Sequence, residues 1–554
     1  MMQPGRAAAA GAAYIFAKYY NSGRHVLCDT ACLQQKPGAP VPPESAGIAR
    51  AQQSYAVHEK TIAQLSADMK KGVTTSEEIV RIYLKSINDL DHNGPKLRSV
   101  LTVNPNALTD ASERDVERTR GLLRGSLHGI PILIKDNIET ADPMPTTAGS
   151  LALASNNTGR DAPAVAKLRA AGAVILGKTN LSEWANIRSD RSCSGWSAIG
   201  GLTRNPYALD RTACGSSSGS GAAVAANLAA AAIGTETDGS VTFPASVSGI
   251  VGIKPTVGLV SRRYIVPISH SQDTAGPMAR TVEDAACILA VIAGTDPLDE
   301  ATWDAECHRA DYASLLNPDA LQGARIGIAR FMSKGWDKVL SQNFEQALEH
   351  LRAAGAELVE VEEFSAMNQI GGCEWTVLMC EFKNDLELYL ADAAPDVQVK
   401  TLKDVIAFNE RESEREMPFF GQENFVAAEK TSGLTTDGYR DALETGRRLA
   451  GPEGIDWLMR HHNLDALISP TGCPPWTIDL VNGDHVTGAS TTLPAVSGYP
   501  HVTVPMGQVH GLPVGLSFMG PRWSEQRLLS LSYAFEKRAK GRRPPTFADR
   551  LPDL

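Results

Sequence analysis

The chain has 554 residues, 43% of them hydrophobic and 21% charged, with a formal net charge of −10. That composition describes a globular protein with a large core, and the negative charge argues against nucleic acid or an anionic membrane as a main partner. No uncharged apolar run reaches the roughly 18 to 20 residues needed to cross a bilayer. The nine cysteines are scattered, with no C-x-x-C pair, so no disulfide framework is expected.

The first fifty or so residues differ from the rest. Residues 7–13 are almost all Ala, residues 37–44 are Pro-rich, and Arg6, Lys18 and Arg24 precede the first acid, Asp29. Such a start reads either as a weak export or organellar signal or as a disordered extension or overextended gene start. Residues 1–54 are therefore set apart as a disordered or targeting extension. Cys28 and Cys32 lack the partners of a metal site.

From Tyr55 the pattern becomes regular. Ile62, Leu65 and Met69 keep helical spacing, and Thr75 with Glu78 predicts a capping box for a helix carrying Ile79, Ile82, Tyr83 and Ile87. Val100 to Val103 reads as a strand and residues 106–120 as a charged helix. Ile130 to Ile134 reads as a buried strand that ends at Lys135. A lone lysine there would ordinarily snorkel to the surface, but Asp136-Asn137 follows at once. Asp161 is placed to cap a helix with Pro163 in its first turn, and Ala173 to Leu176 reads as a strand.

The stretch from Cys214 to Thr256 holds two small-residue clusters, Gly215-Ser216-Ser217-Ser218-Gly219-Ser220-Gly221 and Thr235-Glu236-Thr237-Asp238-Gly239-Ser240. The Ala-rich run between them predicts a helix. The Asp-Gly signal puts Ser240 on a bend with several backbone N–H groups nearby, which can supply a nucleophile and oxyanion donors. Further on, residues 295–322 read as a surface connection. Arg325 to Arg330 predicts a strand, followed by a helix to about Ala354 and a strand near Leu358 to Val361. Residues 375–460 are helical in pattern and charged. Core strands return with Leu467-Ile468-Ser469-Pro470-Thr471, Tyr499 to Gly507 and Gly511 to Leu516.

The Cys214–Thr256 stretch, ending in Gly252-Ile253-Lys254-Pro255-Thr256, resembles the amidase signature. So do Gly129 to Asn137, Lys178 to Ala185, Ser194-Gly195-Trp196-Ser197, Gly200 to Pro206 and Asp273 to Arg280. The resemblance covers roughly residues 55–545 and implies one large α/β domain, a mixed sheet wrapped by helices. Residues 546–554 form a tail, and the helical layer at about 375–460 lies beside the cleft and sets selectivity. The resemblance implies an acyl-enzyme mechanism with Ser240 as nucleophile, Ser216 as bridging serine at a cis peptide bond, and Lys135 as base. Composition does not rank the three adjacent serines; the ungapped family alignment, 24 positions before Ser240, selects Ser216. Lysine acts as a base only when neutral, and burial lowers its pKa from about 10.4 by up to roughly 3 to 5 units. The N–H groups of Thr237, Asp238, Gly239 and Ser240 are expected to hold the oxyanion. Ser194, Trp196, Ser197, Trp184 and Ser217 are expected around the substrate, although for either tryptophan alone packing is the stronger reading. His128, the histidine nearest in sequence to Lys135, reads as structural.

Many family members carry Gly-Gly-Ser-Ile-Arg where this chain has Asp238-Gly239-Ser240-Val241-Thr242. This form resembles the peptide amidase branch, as do Ser182 to Asn186, Phe420 to Glu423 and Arg447 to Gly454. The implied reaction is hydrolysis of C-terminally amidated peptides or amino acid amides, without metal or cofactor. Alternatives are hydrolysis of other small, aryl or fatty amides, a glutamine-hydrolysing amidotransferase subunit, and a non-catalytic scaffold, against which the three filled triad positions speak. A phosphate-binding loop is disfavoured because Gly219-Ser220-Gly221 stands where Gly-Lys-Ser/Thr is needed. The expected partner is a small-molecule or short-peptide amide; monomer and homodimer stay open. The protein is expected to be soluble and cytoplasmic, with export or organellar import through the extension as the alternative.

Overall fold

The computed structural model describes residues 55–333 and 336–551, so the extension over residues 1–54 lies outside the described residues. Eleven strands of the described residues form one mixed sheet. They are β1 (Val100–Val103), β2 (Pro131–Lys135), β3 (Val174–Thr179), β4 (Ala231–Glu236), β5 (Val251–Lys254), β6 (Thr274–Ala279), β7 (Arg325–Ala329), β8 (Glu357–Val361), β9 (Ala466–Pro470), β10 (His501–Val509) and β11 (Leu512–Met519). Their order is β1-β3-β2-β4-β6-β5-β10-β11-β9-β7-β8. The central strands are buried along their whole length, which is why β2 reads Pro-Ile-Leu-Ile-Lys without alternation.

Helices cover both faces. In α1 (Ile62–Lys70), Ile62, Leu65 and Met69 face the core as their spacing predicts. At α2 (Ser76–Ser86) half of the expected capping box forms. The Thr75 hydroxyl accepts from the Glu78 N–H at 3.1 Å, while the Glu78 carboxylate turns to the Thr74 hydroxyl at 2.8 Å. α3 (Ala107–Thr119) follows β1. α4 (Pro163–Ala170) takes Ala162, not Asp161, as its cap residue. The Asp161 carboxylate instead accepts from Ala141 N and Arg169 Nε, at 2.6 and 2.8 Å. Charge pairing with a nearby guanidinium outweighs a single capping bond.

The Ala-rich run is the main departure from expectation. It divides into helix α5 (Ser218–Ala225) and the central strand β4, joined by a turn at residues 226–230. Alanine's helix propensity is a weak prior. β4 pairs with β2 on one side and β6 on the other and is buried throughout, and at Gly234 a Cβ would stand 2.7 Å from Ser217 Oγ, so tertiary context decides. α5 approaches its surroundings so closely that a Cβ at Gly219 would stand 2.2 Å from Ser99 O and 2.6 Å from Asn180 O. α6 (Thr242–Val247) follows the Ser240 bend.

The helical layer begins earlier than expected, with α7 (Met367–Ala391), and continues through α8 (Leu402–Arg411), α9 (Glu423–Glu429) and α10 (Asp437–Ala450). α7 and α9 bury Phe382, Leu386 and Phe425 in a hydrophobic cluster of their own, which takes in Trp184 from the sheet side. The short helix α11 (Thr492–Ser497) brings Thr491 and Thr492 to the Ser240 bend. In the C-terminal tail, Phe547 N donates to Pro206 O at 2.9 Å and Leu209 N to Ala548 O at 2.8 Å. No helix among the described residues is long and apolar enough to cross a membrane.

The α5 contact yields a test. Gly219→Ala drives a methyl into two backbone carbonyls, so it is expected to destabilise the fold by about 2 kcal/mol or more. A shift of the denaturant midpoint checks this. An unchanged midpoint contradicts the packing described.

Candidate active site

Lys135 ends β2, and the parallel register with β4, in which Ile134 lies opposite Ile233, carries it alongside Thr235. Its side chain is fully buried. Three oxygens surround the amine: Ser216 Oγ at 2.8 Å, Thr235 Oγ1 at 2.8 Å and Thr235 O at 3.2 Å. A neutral amine has two hydrogens and one lone pair. Its hydrogens suit the two oxygens of Thr235 and its lone pair the Ser216 hydroxyl. Burial holds the Lys135 pKa well below its ordinary value, against the upward pull of Asp273 and Glu236. Asn137 Nδ2 also donates to Thr235 Oγ1, at 3.0 Å.

Ser216 follows a cis peptide bond from Gly215. Its carbonyl accepts from Ser182 N at 3.0 Å, and the next residue's N–H donates to Ser240 O at 3.1 Å, which ties the two clusters together. Ser240 lines a cavity of about 340 Å³, and Gly215, Thr237, Asp238 and Gly239 share its wall. Gly239 has φ +77°, a left-handed conformation that suits glycine, and a Cβ there would stand 3.0 Å from Thr491 Oγ1. Among the described residues, no hydrogen bond takes up the N–H groups of Thr237, Asp238, Gly239 or Ser240. The next two N–H groups are different. Those of Val241 and Thr242 donate to the buried Glu236 carboxylate, both at 2.8 Å. Glu236 thereby anchors the inner side of the bend.

Asp273 secures another side. It accepts from the Thr237 hydroxyl at 2.5 Å and from Ile268 N and Ser269 N at 2.8 and 2.9 Å, and burial pushes its pKa up to about 6. Thr235, Glu236 and Asp273 were not among the residues singled out from sequence. Their positions inside the quoted motifs were the available signal.

The residues expected around substrate divide. Ser194 lines the Ser240 cavity, with its hydroxyl on Asp484 Oδ2 at 2.5 Å. Trp184, Trp196, Ser197 and Ser217 line neither this cavity nor its larger neighbour. Trp184 packs edge-on against Phe425 at 5.9 Å, and Trp196 against Phe420 at 5.3 Å. They dock the helical layer onto the core. Ser197 Oγ donates to Asn180 Oδ1 at 2.7 Å, and Ser217 Oγ to Thr235 O at 3.1 Å. The hydroxyls of Ser197 and Ser217 are thus engaged with the scaffold, and a substrate contact for these four residues stays an expectation. The walls that sequence did not single out are Phe243, Trp476, Cys214, Leu378 and Val486. His128 is buried, with Nε2 2.9 Å from Arg114 O, in keeping with its structural reading.

The larger cavity, about 530 Å³, borders Asn137, Thr235 and Thr237 but not Ser240. Its arginines are paired: Arg160 with Glu139, Arg262 with Asp299 and Arg263 with Asp296. His270, Glu381 and Asp385 gather three metal-capable atoms within 4.8 Å of one another. Glu381 already accepts from Ser269 Oγ, Ser271 N and Tyr439 OH, and Asp385 from His270 N. The group ties the loop before β6 to α7.

A family model described as Amidase matches residues 78–529. The chain belongs to the amidase family. Among its relatives is a probable amidase of Arabidopsis thaliana, 40% identical over 517 residues, covering 91% of this chain and 94% of that one. A glutamyl-tRNA(Gln) amidotransferase subunit of Halorhodospira halophila is 34% identical, covering 87% of this chain and 97% of its own. Among solved structures, the native peptide amidase from Stenotrophomonas maltophilia superposes with a TM-score of 0.84 at 51% identity, covering 88% of this chain and 99% of that one. This amidase-family chain is an amide-hydrolysing enzyme with the mixed-sheet fold of those relatives.

Burial of Lys135 links activity to stability. A lysine whose folded pKa lies below its unfolded value binds fewer protons in the folded state, so its contribution to stability falls as pH drops below about 10.4. Lys135→Met is therefore expected to abolish hydrolysis while its stability relative to the parent improves as pH falls from 10 to 6, on the order of 1 kcal/mol or more. Denaturant melts at several pH values check the trend. A pH-independent difference contradicts a neutral, buried amine. Activity is also expected to survive EDTA; loss on chelation with recovery on adding zinc overturns that expectation.

Proposed function

We propose that the chain removes the terminal amide of C-terminally amidated peptides or amino acid amides, releasing ammonia. The observation that carries the reading is the joining of two features. A dry lysine amine lies 2.8 Å from Ser216 Oγ. Four uncommitted N–H groups, at residues 237–240, lie along the wall of the cavity that Ser240 lines. Neutral Lys135 takes the Ser216 proton as Ser216 takes that of Ser240, and Ser240 Oγ adds to the amide carbonyl. The N–H groups of Thr237, Asp238, Gly239 and Ser240 receive the oxyanion. Return of the proton through Ser216 to the leaving nitrogen breaks the C–N bond and frees ammonia. Water, deprotonated by the same relay, then releases the acid from Ser240.

The charge of the cleft supports the choice of substrate. The residues lining the Ser240 cavity include the carboxyls of Asp238 and Asp484 and no lysine or arginine. Free glutamine would bring an α-carboxylate into that cavity with no cation to receive it. A peptide amide carries no charge at its reacting end. The half-identical peptide amidase and the Thr-Glu-Thr-Asp-Gly-Ser form point the same way. A site closed beyond the leaving nitrogen rejects a continuing chain by steric clash alone.

Mass spectrometry of a short peptide amide is expected to show conversion to the free acid without internal cleavage, and Ser240→Ala is expected to abolish it. Free glutamine is expected to turn over at least about 100-fold more slowly, from like-charge juxtaposition. No conversion, with turnover of a long-chain fatty amide or of glutamine, overturns the peptide amide reading.

A further inference from the structure

The outer side of the Ser240 bend is held by a second carboxyl pair. Asp238 Oδ2 accepts from Thr492 Oγ1 at 2.7 Å. Its other oxygen, Oδ1, is buried and meets no N–H or hydroxyl donor among the described residues. The carboxyl of Glu374, on α7, is its neighbour, and the two acids act on each other's charge. Two carboxyls bond to each other only through a proton that one of them carries. Glu374 Oε1 in turn accepts from Gln272 Nε2 at 2.8 Å, and the same amide reaches Thr237 O at 3.4 Å. The chain Thr492–Asp238–Glu374–Gln272–Thr237 thus closes around the peptide units proposed to receive the oxyanion.

We propose that Glu374 is a positioning residue for the Ser240 bend, a neutral carboxyl that donates to Asp238 and accepts from Gln272, so that loss of the shared proton in alkali releases the bend. This rests on the reading of residues 237–240 as oxyanion donors. Burial first, and the charge of Asp238 second, hold the Glu374 pKa well above the ordinary carboxyl range. The other groups facing the pair are Glu236 from β4 and Lys254 from β5, together with the neutral Thr491, Thr492 and Gln272. Lys254 is brought down to about 8 by burial, so it titrates in the alkaline range too. A second negative charge beside the developing oxyanion would raise the barrier directly, and the pair would separate by repulsion.

The test is kcat and KM on the best amide substrate, from about pH 6 to pH 10, for the parent, Glu374→Gln and Glu374→Ala, with Ser240→Ala alongside. The parent is expected to lose kcat on the alkaline side. Glutamine keeps a donor and an acceptor but does not titrate, so Glu374→Gln is expected to hold neutral-pH kcat within about threefold and to lose the alkaline fall. Glu374→Ala is expected to lower kcat about 10- to 100-fold with KM nearly unchanged, as a loosened bend requires. An alkaline fall that persists unchanged in Glu374→Gln assigns it to Lys254 and overturns the proposal, as does parental kcat in Glu374→Ala. Retained activity in Ser240→Ala overturns the underlying reading, and the clamp with it.

Discussion

The removal of one amine from water is the constraint on which the rest of the site depends. Lys135 has no solvent contact, and only oxygens of Ser216 and Thr235 lie within hydrogen-bonding distance. Keeping a charged ammonium there would cost more than its surroundings return, because Asp273 and Glu236 act at a distance and are themselves buried. Burial therefore favours the neutral amine, the form that the proposed base requires. The neighbouring buried lysine shows the contrast. Lys178 lies one strand away with Asp136 Oδ1 at 3.1 Å and Thr146 Oγ1 at 2.8 Å, an ion pair that gives it a partner Lys135 lacks.

Around this amine the sheet acts as a positioning device. β2 delivers Lys135, β4 delivers Thr235 and Glu236, and α5 begins beside Ser216, so three adjacent elements converge at one end of the sheet. The Ser240 bend leaves β4 and is held on its inner side by Glu236, at Thr237 by Asp273, and on its outer side by Asp238 with Thr492. A bend secured from three directions holds its N–H groups in place, which is what the oxyanion role proposed for them needs.

The helical layer meets this core through aromatic contacts. Trp184 inserts between sheet and layer against Phe425, while Trp196 meets Phe419 and Phe420. Arg188 lies over Phe420 at 4.3 Å and donates to Glu416 O at 2.6 Å. The layer contributes Leu378 to the cleft wall and Glu374 to the network at the bend. The cleft is thus finished by residues far in sequence from the signature, on a layer that also packs onto the sheet through Ile370 and Ala450 against Leu467 and Met519.

Local patterns in the sequence determined the strand ending at Lys135, the turn before Ser240, the two serine clusters and the alternation of strands with helices. Each is a short-range consequence of residue type: an apolar run, an Asp-Gly pair, an apolar period of three to four. The family resemblance added the pairing of Lys135 with Ser216, which no local pattern contains. Tertiary structure alone decided the remainder. The Ala-rich run reads as helix because alanine favours one, yet its second half became β4, a strand buried along its whole length inside the sheet. Which partners the two tryptophans meet is likewise set by the fold, which buries their large apolar faces against residues of the helical layer. Thr235, Glu236, Asp273 and Glu374 carry ordinary side chains whose role depends on what lies across from them. A sequence records which groups are present; only the fold brings them within hydrogen-bonding distance and removes the water that would otherwise level their differences.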